Sequence, residues 1–277
     1  KIGGGKKVVK DVTIATWQSL TADETLLWEL TQKTSLLIVD ECQGAISSER
    51  VKVLSSFHPK HLYGLSATPF RSKDDGRSAA VGFYFGGIVA QHEIKGLAPV
   101  VEPIRTNIPL PVCDYPEMVS NLINHENRNR LIAGLAWGEA LSGRKVLILV
   151  KRIEHYKRLQ DLLPGGLGVI YVESIDKDRN ELLGALKQGT RDFQILIGTA
   201  SLLSTGVDIP SLDTLIMCAD LKSDVLAIQS AGRILRLFAN KQSPKIIDLW
   251  DNLNPIFHRQ FKERERVYKA KGWKIIP

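Results

Sequence analysis

Two adjacent carboxylates, Asp40 and Glu41, close an apolar run, Ser35-Leu-Leu-Ile-Val-Asp40-Glu41-Cys42-Gln43. Such a run reads as a buried parallel strand, and ligands of open α/β sheets bind at the carboxyl edge of their strands. In nucleoside triphosphatases an acid at that edge holds Mg2+, and a neighbouring Glu orients or deprotonates the attacking water. A strand that merely ends in solvated acids gives the same pattern, so the pair needs company before it means chemistry.

Three further segments supply it. Leu62-Tyr-Gly-Leu-Ser66-Ala67-Thr68-Pro69 is a second strand, and Ser66 and Thr68 at its end can hydrogen-bond carboxylates next door. Ile195 to Pro210 is a third strand ending at Thr199, followed by a glycine-containing loop with one acid. There Thr199 is placed to contact a phosphate and Asp208 a ribose hydroxyl; a turn that needs Gly206 for its backbone angles is an equal reading. Finally, Ser223 can cap a helix running from Asp224 to about Phe238. On it Gln229, Arg233 and Arg236 fall within about 60° of one another. Ala227, Ile228, Ala231, Ile234, Leu235 and Phe238 take the opposite side, and Gly232 allows close approach beside the stripe. Two arginines held this way suit a triphosphate whose charge develops in a transition state.

The elements that must position these groups follow a β/α alternation. Strands are expected at Val12–Thr16, Leu36–Asp40, Leu62–Ser66, Lys145–Val150, Gly168–Val172, Gln194–Gly198, Thr214–Ala219 and Lys245–Asp248. Helix-length polar stretches separate most of them, which predicts parallel sheets covered by helices. Leu97–Pro116 holds five prolines and no helical period, so a linker is expected there. The division is a first lobe over 1–110, a second over 111–250 and a basic extension over 251–277. Gly3-Gly4-Gly5-Lys6 imitates the end of a phosphate-binding loop, but Lys7 follows where Ser or Thr should open a helix, so it is read as a hairpin or loop.

Composition narrows the class. The chain has 277 residues, 44% hydrophobic and 24% charged, which excludes a disordered or collagen-like protein. No run is long and apolar enough for a membrane span, no signal peptide opens the chain, and Cys42, Cys113 and Cys218 are too few and too scattered for a disulfide framework or a metal site. A reducing, cytoplasmic setting is the expectation. The formal net charge of +7 is concentrated at the end: residues 257–277 carry seven basic and two acidic groups. With Phe261, Tyr268 and Trp273 interleaved, this tail either sits on a phosphate backbone or is a solvated helix whose stems cover the lobe beneath.

In this order the segments resemble the motifs of superfamily 2 helicases and translocases. Asp40-Glu41-Cys42-Gln43 resembles motif II, the DExx box, and Ser66-Ala67-Thr68 motif III. Thr199 to Pro210 resembles motif V, and Gln229-Ser-Ala-Gly232-Arg233-Ile-Leu-Arg236 matches the QxxGRxxR of motif VI. Val12 to Leu20 is similar to motif Ic and Val146–Lys151 to motif IV. Within the superfamily the pattern looks most like bacterial and phage DNA helicases related to type III restriction and branch-migrating enzymes. The resemblance implies two RecA-like parallel-sheet lobes, with ATP and Mg2+ between them and nucleic acid across their top. It implies that Asp40 positions Mg2+, with Glu41 beside it acting through water, and that Glu41 activates the attacking water. Arg233 and Arg236 would act as arginine fingers and Gln229 would order the γ-phosphate. Gly206 and Asp208 would touch nucleotide, Thr16, Gln18 and Thr199 would line the nucleic-acid path, and Ser66 and Thr68 would couple the two.

Two departures stand out. Gln43 occupies a place where the family more often has His or Asp. Motif I is missing, with motifs Ia and Ib, and the chain opens at Lys1 rather than Met. The expectation is therefore a first lobe incomplete at its amino-terminal side, a fragment whose parent is an ATP-dependent DNA helicase and which is inactive alone. An RNA-dependent member of the superfamily, or a non-catalytic nucleic-acid-binding module without its phosphate loop, are the competing readings.

Overall fold

The computed structural model describes residues 2–3, 6–66, 69–70, 76–91, 98–164, 168–172, 179–199, 209–218, 232, 234, 238 and 241–276. The chain divides into two compact units, Lys1–Glu93 and Ile94–Pro277.

In the first unit β1 (Ile2–Gly3) and β2 (Lys6–Lys7) pair antiparallel. Helices α1 (Trp17–Ala22) and α2 (Glu24–Lys33) follow. Asp23 starts α2, its carboxylate accepting from the Leu26 N–H at 3.0 Å. Then come β3 (Leu36–Asp40), α3 (Ser48–Ser56), β4 (His61–Leu65) and α4 (Arg77–Phe85). Strands β3 and β4 run parallel, from Leu36 opposite His61 to Asp40 opposite Leu65. Their inner residues Leu37, Val39 and Leu62 pack with Cys42, Ala45, Leu54 and Val81. On the other face Leu36, Ile38, Tyr63 and Leu65 are each about half exposed.

One expectation fails here for a physical reason. Val12–Thr16 is not a strand: Val12 and Ile14 project into solvent, and only Ala15 makes a single bridge, to Ile2. Thr16 instead caps α1, its hydroxyl accepting from the Ser19 N–H at 3.3 Å. A β-branched run with no partner lost to a capping hydroxyl.

The second unit contains β5 (Val100–Arg105), α5 (Tyr115–Asn124), α6 (Glu126–Leu141), β6 (Val146–Val150), α7 (Ile153–Leu162), β7 (Val169–Val172), α8 (Arg179–Gln188), β8 (Ile195–Thr199), β9 (Thr214–Met217), β10 (Lys245–Trp250), α9 (Pro255–Ala270) and β11 (Lys274–Ile275). Its sheet has seven strands in the order β11-β5-β10-β9-β6-β8-β7, every pairing parallel. Every residue of β6, β8 and β9 is buried, as expected of strands sandwiched between helix layers. One layer of core gathers Leu147, Leu149, Leu196, Leu215 and Ile246, the other Val146, Ile148, Val150, Ile195 and Ile197.

The expected boundary near Leu110 is corrected to Glu93–Ile94, because β5 belongs to the second sheet. The prolines that suggested a linker conceal a strand. Val100 and Thr106 both donate toward β10, so alternation turns the position of Pro103's missing N–H to the other side. There β11 pairs only with Val100 and Val101, and no ladder bond is lost. The basic extension 251–277 packs onto the second unit. Phe257, Phe261 and Tyr268 of α9 are buried, and β11 closes the sheet edge.

Candidate active site and nucleic-acid interface

The acidic pair sits where the strand pattern put it. Asp40 is the last residue of β3, and its Oδ1 accepts the Glu41 N–H at 3.0 Å. Glu41 adopts a left-handed backbone, φ 50° and ψ 51°, and starts the short 3-10 turn Cys42–Gly44. Such a conformation is unfavourable for a non-glycine residue and is held here by its surroundings. The Glu41 carbonyl accepts from Gly44 N–H at 2.7 Å, and Gln43 Nε2 donates to Glu41 Oε2 at 2.6 Å. The chain thus doubles back at once, leaving both carboxylates exposed at the carboxyl edge while Cys42 points inward. Burial, backed by the neighbouring carboxylates, pushes the Cys42 thiol up and keeps it protonated.

The turn is pressed onto its neighbour strand. A Cβ at Gly64 would lie 2.9 Å from the Cβ and Sγ of Cys42 and from the Phe85 ring, so β4 must be glycine at that level. Ser66 follows directly on Leu65, the register partner of Asp40, and this brings the hydroxyl segment beside the acids. Arg50 Nη1 donates to Gly44 O at 2.8 Å while its guanidinium lies 5.9 Å from the Trp17 ring centroid. Thr16 and Gln18 flank that tryptophan at the start of α1, both exposed, with Trp17 packed into the core below the acidic turn. Asp40, Glu41, Gln43, Ser66, Thr16 and Gln18 therefore hang on one small framework.

Mg2+ fits this chemistry. Asp40 Oδ1 is engaged by the backbone and Oδ2 has no hydrogen-bond partner among the described residues. Two exposed carboxylate residues suit a hard cation that keeps most of its water and takes further oxygens from phosphate. Gln43 Oε1 is buried with no hydrogen-bond partner, so this residue offers an acceptor at the turn in addition to the amide that holds Glu41. No group of three or more His, Cys, Asp or Glu forms a protein cage among the described residues.

In the second unit Thr199 ends β8 at the same kind of edge, opposite Val150, and is only 6% exposed. Thr68, Gly206, Asp208, Gln229, Arg233 and Arg236 lie outside the described residues. Of the proposed stripe helix, Ile234 is buried in the core, as the opposite face requires. Phe238, expected on that core face, is 53% exposed, and among the described residues a Cβ on Gly232 would meet nothing within 4 Å.

A set of buried charges at this edge has no sequence signal. Arg128 grips Asp251 through Nε–Oδ1 at 2.9 Å and Nη2–Oδ2 at 3.0 Å, and Nη2 also donates to the Cys218 carbonyl at 2.9 Å. Thr106 adds its hydroxyl to Asp251, which ties the ends of β5 and β10 to the exit of β9. Arg264 pairs with Asp248 at 2.7 and 2.9 Å, and Tyr268 donates to the same carboxylate at 2.8 Å. Burial and that carboxylate hold the Tyr268 phenol protonated. His155 is buried against Asn129 Oδ1 at 2.9 Å; burial and the positive Arg128 and Arg158 lower its pKa to about 3, so the ring is neutral. Arg264 is thus an interior strut, not part of a basic surface.

Comparison with known proteins agrees with this architecture. Residues 126–238 match the helicase conserved C-terminal domain. Protein 161L of Invertebrate iridescent virus 6, a helicase by name, is 30% identical over 255 residues, covering 85% of this chain and 55% of the relative. The ATP-dependent DNA helicase uvsW of Enterobacteria phage T4 is 24% identical over 276 residues, 91% of this chain and 53% of the relative. This chain therefore spans about half the length of these two relatives. The fold matches Saccharomyces cerevisiae Dbp5 bound to RNA and ADP BeF3 at a TM-score of 0.67, 14% identity, 100% of this chain and 68% of that one. No helix among the described residues is long and apolar enough to cross a membrane. With a seven-stranded parallel sheet of RecA type and these relatives, the chain belongs to the superfamily 2 helicases.

Proposed function

We propose that the chain is the core of an ATP-dependent DNA helicase or translocase, in which hydrolysis is coupled to movement on nucleic acid. The acidic pair carries the reading: Asp40 and Glu41 stand exposed at a strand's carboxyl edge, held there by the left-handed turn at Glu41 that sends Cys42 into the core. In this reading Asp40 holds Mg2+, which supplies charge neutralisation on the triphosphate when bound. Glu41, steered by Gln43, takes the proton of the attacking water. Arg233 and Arg236 stabilise charge on the transferred phosphoryl group, a role worth roughly 10³–10⁵ in rate in related enzymes, and Gln229 orders the γ-phosphate. Gly206 and Asp208 contact the nucleotide. Thr16, Gln18 and Thr199 face nucleic acid, with Ser66 and Thr68 as the coupling segment.

DNA is the proposed track because the T4 relative is a DNA helicase by name. An RNA track is the second reading, since proteins that grip phosphates and sugars carry little base information. The half-exposed face of Leu36, Ile38, Tyr63 and Leu65 is proposed to receive the rest of a first lobe, carrying the missing phosphate loop. Among the described residues β3 pairs only with β4, which leaves a strand edge for that addition.

The test is ATP hydrolysis by the chain and by a longer parent that includes a phosphate loop, with single-stranded DNA, branched DNA and RNA. Stimulated turnover in the parent, reduced at least 100-fold by Glu41→Gln with nucleic-acid binding retained, is the expected result; roughly this factor follows from loss of a positioned base. Full turnover in Glu41→Gln removes the assignment, and the nucleic acid that stimulates most identifies the track.

A further inference from the structure

We infer that a cationic surface around Trp250 and the solvent side of α9 is a second phosphate-gripping site for nucleic acid, separate from the helicase motifs. It rests on the proposed nucleic-acid function and says which additional part of the molecule touches the backbone.

Arg105 ends β5 and Trp250 ends β10, so the surface starts at the carboxyl edge of the second sheet. The Arg105 guanidinium lies 4.6 Å from the centroid of the Trp250 ring and Lys262 Nζ lies 4.9 Å from it. Trp250 itself is fixed, stacked on Phe261 at 4.7 Å and donating from Nε1 to His258 Nδ1 at 3.2 Å. The Lys262 charge is partly offset by Glu265, and the exposed Arg105 guanidinium beside it gives the ring a positive rim that suits a polyanion.

The helix extends the charge away from that ring. Arg259, Lys262 and Arg266 fall within about 60° of one another on α9, opposite the buried Phe257, Phe261, Arg264 and Tyr268. Arg259 and Arg266 are exposed and have no carboxylate partner among the described residues. Lys262 shares Glu265 with Lys269, at 2.9 and 3.1 Å. The helix therefore keeps at its surface two guanidinium groups that make no ion pair among the described residues, with Glu263 on the same face between them; guanidinium is the group best matched to phosphate oxygens.

Strand order gives the surface its reach. Thr199 ends β8 on the same sheet edge, and β5 lies four strand positions away from β8. At about 4.8 Å per position that is roughly 19 Å, or five to six base pairs at about 3.4 Å of rise per phosphate on one strand. Arg105 and the start of α9, which follow the ends of β5 and β10, therefore lie within a few phosphates of Thr199 along the row of strand ends. The aromatic residues Phe261 and Tyr268 are unavailable for base stacking because both are buried, so the grip is on the backbone and carries no sequence preference.

The test compares wild type with the Arg259→Gln/Arg266→Gln double variant, and separately with Arg105→Gln, binding fluorescent duplex and single-stranded DNA over a salt series. The double variant is expected to bind duplex roughly tenfold more weakly, and the slope of log affinity against log salt is expected to be shallower by about 1.8, the loss of two phosphate contacts. Arg105→Gln is expected to flatten it by about half as much. A wild-type slope and affinity in both variants overturns this surface while leaving the helicase reading standing. No nucleic-acid binding by wild type at 50 mM salt overturns both.

Discussion

The two units use the same strand–helix grammar and end with opposite surfaces. Ile148 in the middle of β6 and Ile38 in the middle of β3 are the same residue in parallel strands of five residues, yet Ile148 is 0% exposed and Ile38 54%. The second sheet is covered on both faces, whereas among the described residues the first shows a two-stranded sheet with one covered face. The acidic site thus sits on the less enclosed scaffold. Its rigidity comes from local devices, the Gly64–Cys42 contact and the Arg50 brace, while the second unit relies on buried charge networks and core volume.

The sharpest way to break that contrast is at Arg264. Arg264→Ala strands Asp248 in the interior without its partner, and a loss of about 3–5 kcal/mol is expected. Amide hydrogen exchange should show it throughout the second sheet and not in β3 and β4; equal loss in both units would mean that they fold as one. Next come the two isoleucines. Ile148→Ala should cost about 2–5 kcal/mol by transfer and cavity, and Ile38→Ala under about 1 kcal/mol. Chemical denaturation of both variants measures the difference, and a cost at Ile38 equal to that at Ile148 would show that its face is covered in solution.

The third test is a pH slope. The folded His155 has its pKa lowered to about 3, mainly by burial, from an ordinary 6.5. Between those values the unfolded chain binds a proton that the folded chain refuses. This histidine's contribution to stability is complete above pH 6.5 and declines as pH falls, by about 1.4 kcal/mol per unit, until about pH 3. His155→Gln should remove that slope from the second unit, as followed by denaturation at pH 4, 5 and 6, and leave the first unit's profile unchanged. A parent-like slope in the variant would assign the acid sensitivity to other groups.

How much of this was legible depends on whether the signal was local. Leu36–Asp40 is found residue for residue, because an apolar run ending in acids is written in consecutive positions, although the burial expected of it holds on one face only. β6, β8 and β9 are legible for the same reason, with ends shifted by a residue or two. β5 was hidden by Pro103, whose harmlessness depends on where another strand, 171 positions later, stops pairing. The Arg128–Asp251 pair spans 123 positions and carries no periodicity at all. Val12–Thr16 failed in the opposite direction, a β-rich composition without a neighbour to pair with. At the site, adjacency predicted that the carboxylates stand at the strand's carboxyl edge, but not the left-handed backbone of Glu41, which accompanies the tight return of the chain.

Pro103 also bears on how the molecule behaves in crowded solution. A parallel sheet that ends in an open ladder invites another copy to add its own strand, and repeated addition grows filaments. Here the outer side of β5 offers its first residues to two residues of β11, and the next donor along that side is a proline with no hydrogen to give. A visiting strand would find its docking row interrupted after a single step. The same residue that disguises the strand in the sequence therefore discourages self-templated growth at this border of the second sheet.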